Sequence, residues 1–199
     1  MNNLLIEEKE VLSSLEVGNY QIRLRPLTLE DAAQTFVWRN SNRARYLNSS
    51  SITIEAQKKW ISLRPENELN FIIVNNKNDV GMISLVNIDL KNFNAEAGRF
   101  LLGEEELTKG SSTAIEATLM LYDIAFQILG LNRVYGYVSS ENNMMIKFHK
   151  YLGMKEEGVM AKHYYNGKYF TDAVILGLLR EEFIKNLQPK ALRLLNLVR

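Results

Sequence analysis

Apolar positions along the chain change period several times, and each change marks an element. From Tyr20 to Arg25, Ile22 and Leu24 alternate with Arg23 and Arg25, the period of a half-buried strand, and Pro26 stops it. Leu12–Val17 can pair with that strand through Gly18-Asn19 as a hairpin. Thr28 ahead of Glu30-Asp31 opens a helix whose apolar stripe is Ala32, Phe36 and Val37. A second helix is expected from about Thr53 through Trp60 and Leu63, ending before Pro65. Strands at Leu69–Val74, Val80–Ile88 and about Ala95–Leu102, separated by polar turns, predict an antiparallel meander. A helix with Ala117, Leu121, Ile124, Ala125 and Ile128 on one face follows and is closed by Gly130. Then come a strand at Arg133–Val138 and a helix at Asn142–Leu152 with Gly153 beyond it. Two strands, Val159–Tyr165 and Tyr169–Gly177, flank Asn166-Gly167, a strong hairpin signal. From Arg180 on, Phe183, Ile184 and Leu187, then Leu192, Leu194, Leu195 and Val198 past Pro189, predict one or two amphipathic helices. These would pack on the domain or on a second copy.

The chain has 199 residues, 46% apolar and 24% charged, which is enough for one domain over 1–199 with its core at about 20–178 and a helical tail at 180–199. With 24 basic and 23 acidic residues, no global field favours nucleic acid or an anionic membrane, so neither is expected as a partner. The absence of cysteine removes disulfides, thiolate metal sites and a cysteine nucleophile. Two histidines, His149 and His163, cannot build an ordinary zinc site, and no metal is expected. No apolar run approaches the ~20 residues that span a bilayer. The first ten residues lack a basic start and a long apolar stretch, so a soluble, cytoplasmic protein is expected.

The segment most charged with chemistry is Lys109-Gly110-Ser111-Ser112-Thr113-Ala114, between an apolar run and a long helical pattern. A loop of small residues opening a helix leaves main-chain N–H groups unpaired and adds the helix dipole, a seat for a phosphate or pyrophosphate. A plain helix cap is the alternative. Around it stand Asn142-Asn143-Met144-Met145-Ile146-Lys147-Phe148-His149-Lys150-Tyr151-Leu152-Gly153 and the strand pair Val80–Leu85 and Asn94–Phe100.

The order strand, two helices, three antiparallel strands, helix, strand, helix, hairpin resembles the GNAT superfamily of acyl-CoA-dependent N-acyltransferases over roughly Tyr20 to Leu178. Lys109-x-x-Ser112-x-Ala114 resembles that family's Gln/Arg-x-x-Gly-x-Gly/Ala loop, with lysine for the first cation and serine for the central glycine. Hydroxyls of Ser111 and Ser112 can donate hydrogen bonds in return for the lost glycine. The 142–154 segment resembles the family's Asn-x-x-(Ala/Ser)-Ile-x-Leu-Tyr-x-Lys-Leu-Gly-Phe signature, with His149 where tyrosine is usual.

The resemblance implies an α+β fold of layered α/β type, with a mixed, mostly antiparallel sheet of about seven strands and helices on both faces. It implies acetyl-CoA as cosubstrate, with Lys109 to Ala114 on the diphosphate and Asn142 hydrogen-bonded to the pantetheine arm. Phe148 would line that channel, and main-chain groups of Phe100, Leu101 and Leu102 would pair with the pantetheine amides. His149 then stands as the acid toward the departing thiolate, or else as a packing residue with Met145 and Leu152. Glu96 stands as a base for the acceptor ammonium, or else as a solvated strand glutamate.

Trp38-Arg39-Asn40, with Arg43, Arg45, Tyr46 and Trp60 nearby, falls where the family shapes its acceptor pocket. Aromatics stack on rings and arginines grip phosphate, unless the tryptophans are core and the arginines solvated. The expected reaction is direct attack of a small primary amine on the thioester. A nucleotide-linked amino sugar is the first acceptor, and a ribosomal-protein N-terminus or a polyamine the alternative. The absence of surplus acid in the expected acceptor helices argues against a peptide. A CoA-binding module without catalysis is the reading from another class, favoured by Ser112 and His149, and a homodimer is compatible with the apolar tail.

Overall fold

The computed structural model describes residues 20–48 and 50–197, except the side chains at 192, 194, 196 and 197; the hairpin partner expected at 12–17 and Val198 lie outside the described residues. Strands β1 (Ile22–Pro26), β2 (Leu69–Asn75), β3 (Asn78–Asp89), β4 (Asn94–Leu102), β5 (Arg133–Ser139), β6 (Lys155–Tyr165) and β7 (Phe170–Leu179) form one mixed sheet in the order β1-β2-β3-β4-β5-β7-β6. Only β4 and β5 run parallel. A parallel pair needs a long crossover, and α3 (Glu105–Thr108) and α4 (Thr113–Asp123) supply it.

Helices α1 (Ala32–Arg39) and α2 (Ile54–Ser62) cover one face of the sheet through Ile72, Val74, Met82 and Leu101. The other face, with Phe71, Ile73, Ile83 and Leu85, packs on α4 and takes Met145, Ile146 and Phe148 of α5 (Asn143–Tyr151). Strand β2 is therefore buried at every position, as a central strand covered on both sides must be. The predicted stripe of α4 holds: Ala117, Leu121, Ile124 and Ala125 are fully buried, with the last two on a π-helical turn, Ile124–Ile128. Gly130 leaves that turn at φ +64, the left-handed region that favours glycine. The tail docks on the same face, where Phe183 lies 5.1 Å from Phe126 and 5.9 Å from Tyr122, and continues into α6 (Gln188–Leu197).

Two expectations shift. In α1 the buried positions are Ala32, Thr35 and Trp38, while Val37 is 64% exposed. A 3-10 turn, Leu29–Asp31, precedes the helix and sets a three-residue phase, and Thr35 can face inward because its hydroxyl donates to the Asp31 carbonyl (2.8 Å) and accepts from Gln57 (3.0 Å). Strand β6 begins four residues before the apolar pattern does, at Lys155, because it is an edge strand with mostly exposed side chains.

Candidate active site

The site begins where β4 and β5 part. Their ladder runs Asn94↔Arg133, Ala95↔Val134 and Glu96↔Tyr135 and then ends, although both strands continue to Leu102 and Ser139. Main-chain groups of β4 beyond Glu96 therefore face a wedge instead of a neighbouring strand. A bulge sharpens the divergence: Met82 and Ser84 of β3 pair with Leu101 and Gly98, so β4 carries one extra residue there, and Arg99 takes φ +52. The wedge opens into a cleft of about 550 Å³ lined by Phe100, Leu101, Leu102, Ala114, Asn142, Phe148 and His149, by Glu96, and by arginines 39, 43, 45 and 99.

At the head of α4 the backbone is free to bind an anion. The N–H groups of Gly110, Ser112, Ala114 and Ile115 have no protein acceptor among the described residues, whereas the N–H groups of Lys109 and Ser111 return to Glu105 and Thr108. Gly110 sits at φ +71, with nothing near where a Cβ would be. The hydroxyls are committed inward, contrary to expectation. Ser111 donates to the Thr108 carbonyl (2.7 Å), Thr113 accepts from Asn75 (2.9 Å), and Ser112 donates to the buried Glu116 carboxylate. Glu116 also accepts the Gln21 N–H at 2.6 Å, tying β1 to the loop. Main-chain amides, not hydroxyls, are thus the donors on offer.

Asn142 caps α5, its side-chain oxygen accepting from the Met145 N–H at 3.3 Å, which leaves its amide NH₂ for the cleft. Phe148 stacks on Phe100 at 5.8 Å and 7°, fixing an apolar wall. His149 is 9% exposed and its Nδ1 has no partner. Burial pushes the imidazole down to about 4, so the ring is neutral near pH 7.

Glu96 is half-buried on the α1–α2 face, since its neighbours Ala95 and Ala97 pack into the opposite core. Its carboxylate accepts from Asn87 at 2.9 Å, and burial raises it above the usual carboxylate range despite that bond and the nearby Arg99. Arg99 is held by Glu68 through two bonds of 2.6 and 2.9 Å, bonds Asn70 at 2.8 Å, and lies 5.2 Å over the Trp60 ring. Glu96 and His149 thus flank the wedge from opposite faces of the sheet.

Residues 21–155 match the family described as the acetyltransferase (GNAT) domain. The chain belongs to the GNAT acetyltransferases. It is 29% identical over 169 residues to the SPbeta prophage-derived uncharacterized N-acetyltransferase YokL of Bacillus subtilis, covering 83% of this chain and 90% of that protein. It is 22% identical over 182 residues to the spermidine N(1)-acetyltransferase of Escherichia coli, covering 83% and 89%. The Vibrio cholerae spermidine N-acetyltransferase in complex with CoA and spermine superposes with a TM-score of 0.74 at 22% identity, over 84% of this chain and all (100%) of that one.

In this GNAT acetyltransferase the expected site residues divide into two groups. Phe100, Leu101, Leu102, Ala114, Asn142, Phe148, His149, Glu96 and Arg39 line the cleft, whereas Lys109, Gly110, Ser111, Ser112 and Thr113 lie outside its lining, on the loop that leads to Ala114. Trp38 and Asn40 do not line it. Trp38 is 2% exposed and donates its Nε1–H to Glu104 (2.8 Å), with Gly103 packed against its ring. Asn40 spans the loop to the Phe36 and Ser51 carbonyls. Arg99, its Glu68 partner and Tyr164 belong to the site or its support and carry no motif. Among the described residues no cluster of acidic or histidine side chains could hold a metal, and no helix is long and apolar enough to cross a membrane.

Proposed function

We propose that this chain transfers the acetyl group of acetyl-CoA to the primary amine of a small acceptor by direct attack inside the β4–β5 wedge. The observation that carries the reading is the parting of the two strands after Glu96, which leaves a strand edge open between the head of α4 and the cap of α5. When bound, acetyl-CoA supplies an activated thioester; every other contribution comes from the chain.

The residues present fit that cosubstrate. The unpaired amides at 110–115 offer a diphosphate seat, the open edge at Phe100–Leu102 offers main-chain partners to an amide-bearing arm, and the free NH₂ of Asn142 adds a donor. The orphaned Nδ1 of His149 is a buried polar group awaiting a partner. Glu96, raised by burial, accepts a proton from the acceptor's ammonium and releases a nucleophilic amine. As the amine nitrogen bonds to the acetyl carbon the C–S bond breaks, and His149, neutral, steadies the departing thiolate with a hydrogen bond from its ring N–H rather than with the proton of an imidazolium; the thiolate takes up the proton that the attacking nitrogen loses, carried by water. Packing of Phe100 on Phe148 gives the cleft an apolar wall.

The names of the relatives add a second reading of the acceptor, a polyamine. The amino-sugar expectation loses two of the three residues that carried it, since Trp38 and Asn40 serve packing and loop closure. Thiol release from acetyl-CoA over a panel of amines tests the reaction. Turnover of at least one amine, abolished or cut at least about a hundredfold by Glu96→Gln, is expected; tight CoA binding without turnover on any amine refutes it.

A further inference from the structure

We infer that Asn87 is a positioning residue for the acetyl transfer: its side-chain amide holds one oxygen of the Glu96 carboxylate and leaves the other to take the acceptor's proton. The inference rests on the acetyl-transfer reading above, in which Glu96 is the base. Asn87 owes its place to an irregularity of β3. Val86 pairs with Glu96, and the next pair is Asp89↔Asn94, so three steps along β3 match two along β4. In a regular strand residues 86 and 88 would share a face and 87 would take the other. Here Val86 shares the face of Glu96, since a Cβ built on Gly98 would meet the Val86 Cγ2 at 3.7 Å and the Glu96 Oε1 at 3.9 Å. Ile88 lies in the core of the opposite face. Asn87 is the inserted residue between them, at φ +52, a left-handed conformation that asparagine adopts more readily than most side chains.

From there the Asn87 Nδ2 donates to the Glu96 Oε2 at 2.9 Å. The other oxygen, Oε1, lies beside Gly98, which lines the cleft and has no side chain to cover it. Arg99, three positions along β4, gives two bonds of 2.6 and 2.9 Å to Glu68. A neutral amide suits a base: it fixes the direction of the carboxylate and favours its charge less than a paired guanidinium would. Burial, the largest effect, raises the Glu96 carboxyl; the Asn87 bond comes next and lowers it, as does Arg99, while Glu68 raises it. Tyr135, opposite on β5, and Tyr164, on β6, also feel its charge, and both are pushed up by burial and by that charge, so neither ionises while Glu96 titrates. Arg39, Arg43 and Arg45 line the same cleft, and His149 across the wedge titrates at about 4.

The test follows the Glu96 carboxyl carbon by NMR titration, its signal assigned by its loss in Glu96→Gln, together with the pH dependence of thiol release over a panel of amines. Asn87→Gly tolerates the left-handed backbone and deletes the amide, and Asn87→Asp keeps the shape but replaces the donor with a second carboxylate. Without the donor the ionised form is less favoured. The Glu96 titration and the acidic limb of kcat/KM should therefore both move up by about 0.5–1 pH unit in Asn87→Gly, and further in Asn87→Asp. The plateau rate should fall about three- to tenfold once the carboxylate is no longer aimed. Calorimetric CoA affinity should stay within about twofold, because the groups that would hold CoA lie elsewhere in the fold. A titration unmoved in both variants, or a loss of rate without a shift, overturns the inference. The reading beneath it fails differently. A full NMR shift with no thiol release from any amine refutes acetyl transfer and leaves the hold of Asn87 on Glu96 standing. Release from Glu96→Gln at the wild-type rate refutes Glu96 as the base, and the part of Asn87 in the reaction with it.

Discussion

Lowering the pH should destabilise this protein through one side chain, His149. An unfolded imidazole takes up its proton near 6.5, whereas burial holds the folded one down to about 4. Between these values the unfolded chain binds more protons than the folded one, so folding stability falls as pH drops through this window. The full difference is worth about 3 kcal/mol, at ~1.4 kcal/mol per pH unit, and most of it is lost by pH 4.5. No neighbouring charge contributes, because burial is the sole cause of the shift. Comparing wild type with His149→Leu isolates the effect, since every other titrating group is common to both. Urea unfolding at pH 7.5 and pH 4.5 should show the H149L variant gaining about 2–3 kcal/mol on wild type between the two conditions. A stability gap that does not change with pH would mean that the folded ring is hydrated or already protonated. The neutral-imidazole role proposed for it would then fail.

Four further outcomes follow from named contacts. The acidic limb of kcat/KM against pH should lie above the ordinary carboxylate range, because Glu96 must be ionised to act and burial raises it; Glu96→Gln should erase that limb in a pH–rate profile. Gly103→Ala would place a Cβ 2.2 Å from the Trp38 ring, and chemical denaturation should register a loss of about 1–3 kcal/mol. Glu68→Gln removes the charged partner of Arg99 and should cost about 2 kcal/mol in the same assay, with weaker acceptor binding because Arg99 lines the cleft. Asn142→Ala deletes a helix cap worth about 1 kcal/mol and an NH₂ facing the cleft, so both stability and CoA affinity measured by calorimetry should fall.

Elements with strong periodicity were legible in the chain, and those whose burial depends on distant partners were not. The stripe of α4 and the Asn166-Gly167 hairpin follow from local pattern, because the apolar spacing and the turn chemistry both sit within a few residues. The inward face of α1 does not. Its phase is set by the 3-10 turn before it, and the buried Thr35 is tolerable only because Gln57, on another helix, completes its hydrogen bonds. Lys155-Glu156-Glu157 carries no strand signal for a related reason: on a sheet edge, the backbone pairs while the side chains remain in water.

The same division runs through the site. The loop at 109–114 and the cap at Asn142 are local devices; Ala114, at the end of that loop, and Asn142 both line the cleft. Arg99 is invisible to motif reading because its place depends on a bulge that only the β3–β4 register reveals, and on Glu68, thirty-one positions away along the chain. Trp38 misleads in the opposite direction. It is a large aromatic beside basic residues, and it reads as a stacking surface until Glu104 and Gly103 are seen closing over it. What converts these scattered pieces into a candidate catalyst is the single place where the sheet stops pairing with itself. Had β5 followed β4 to Leu102, the backbone there would be engaged in the ladder, and Glu96 and His149 would be separated by a closed sheet. The parting after Glu96↔Tyr135 joins the α4–α5 side of the sheet to the α1–α2 side, the passage that the proposed transfer requires.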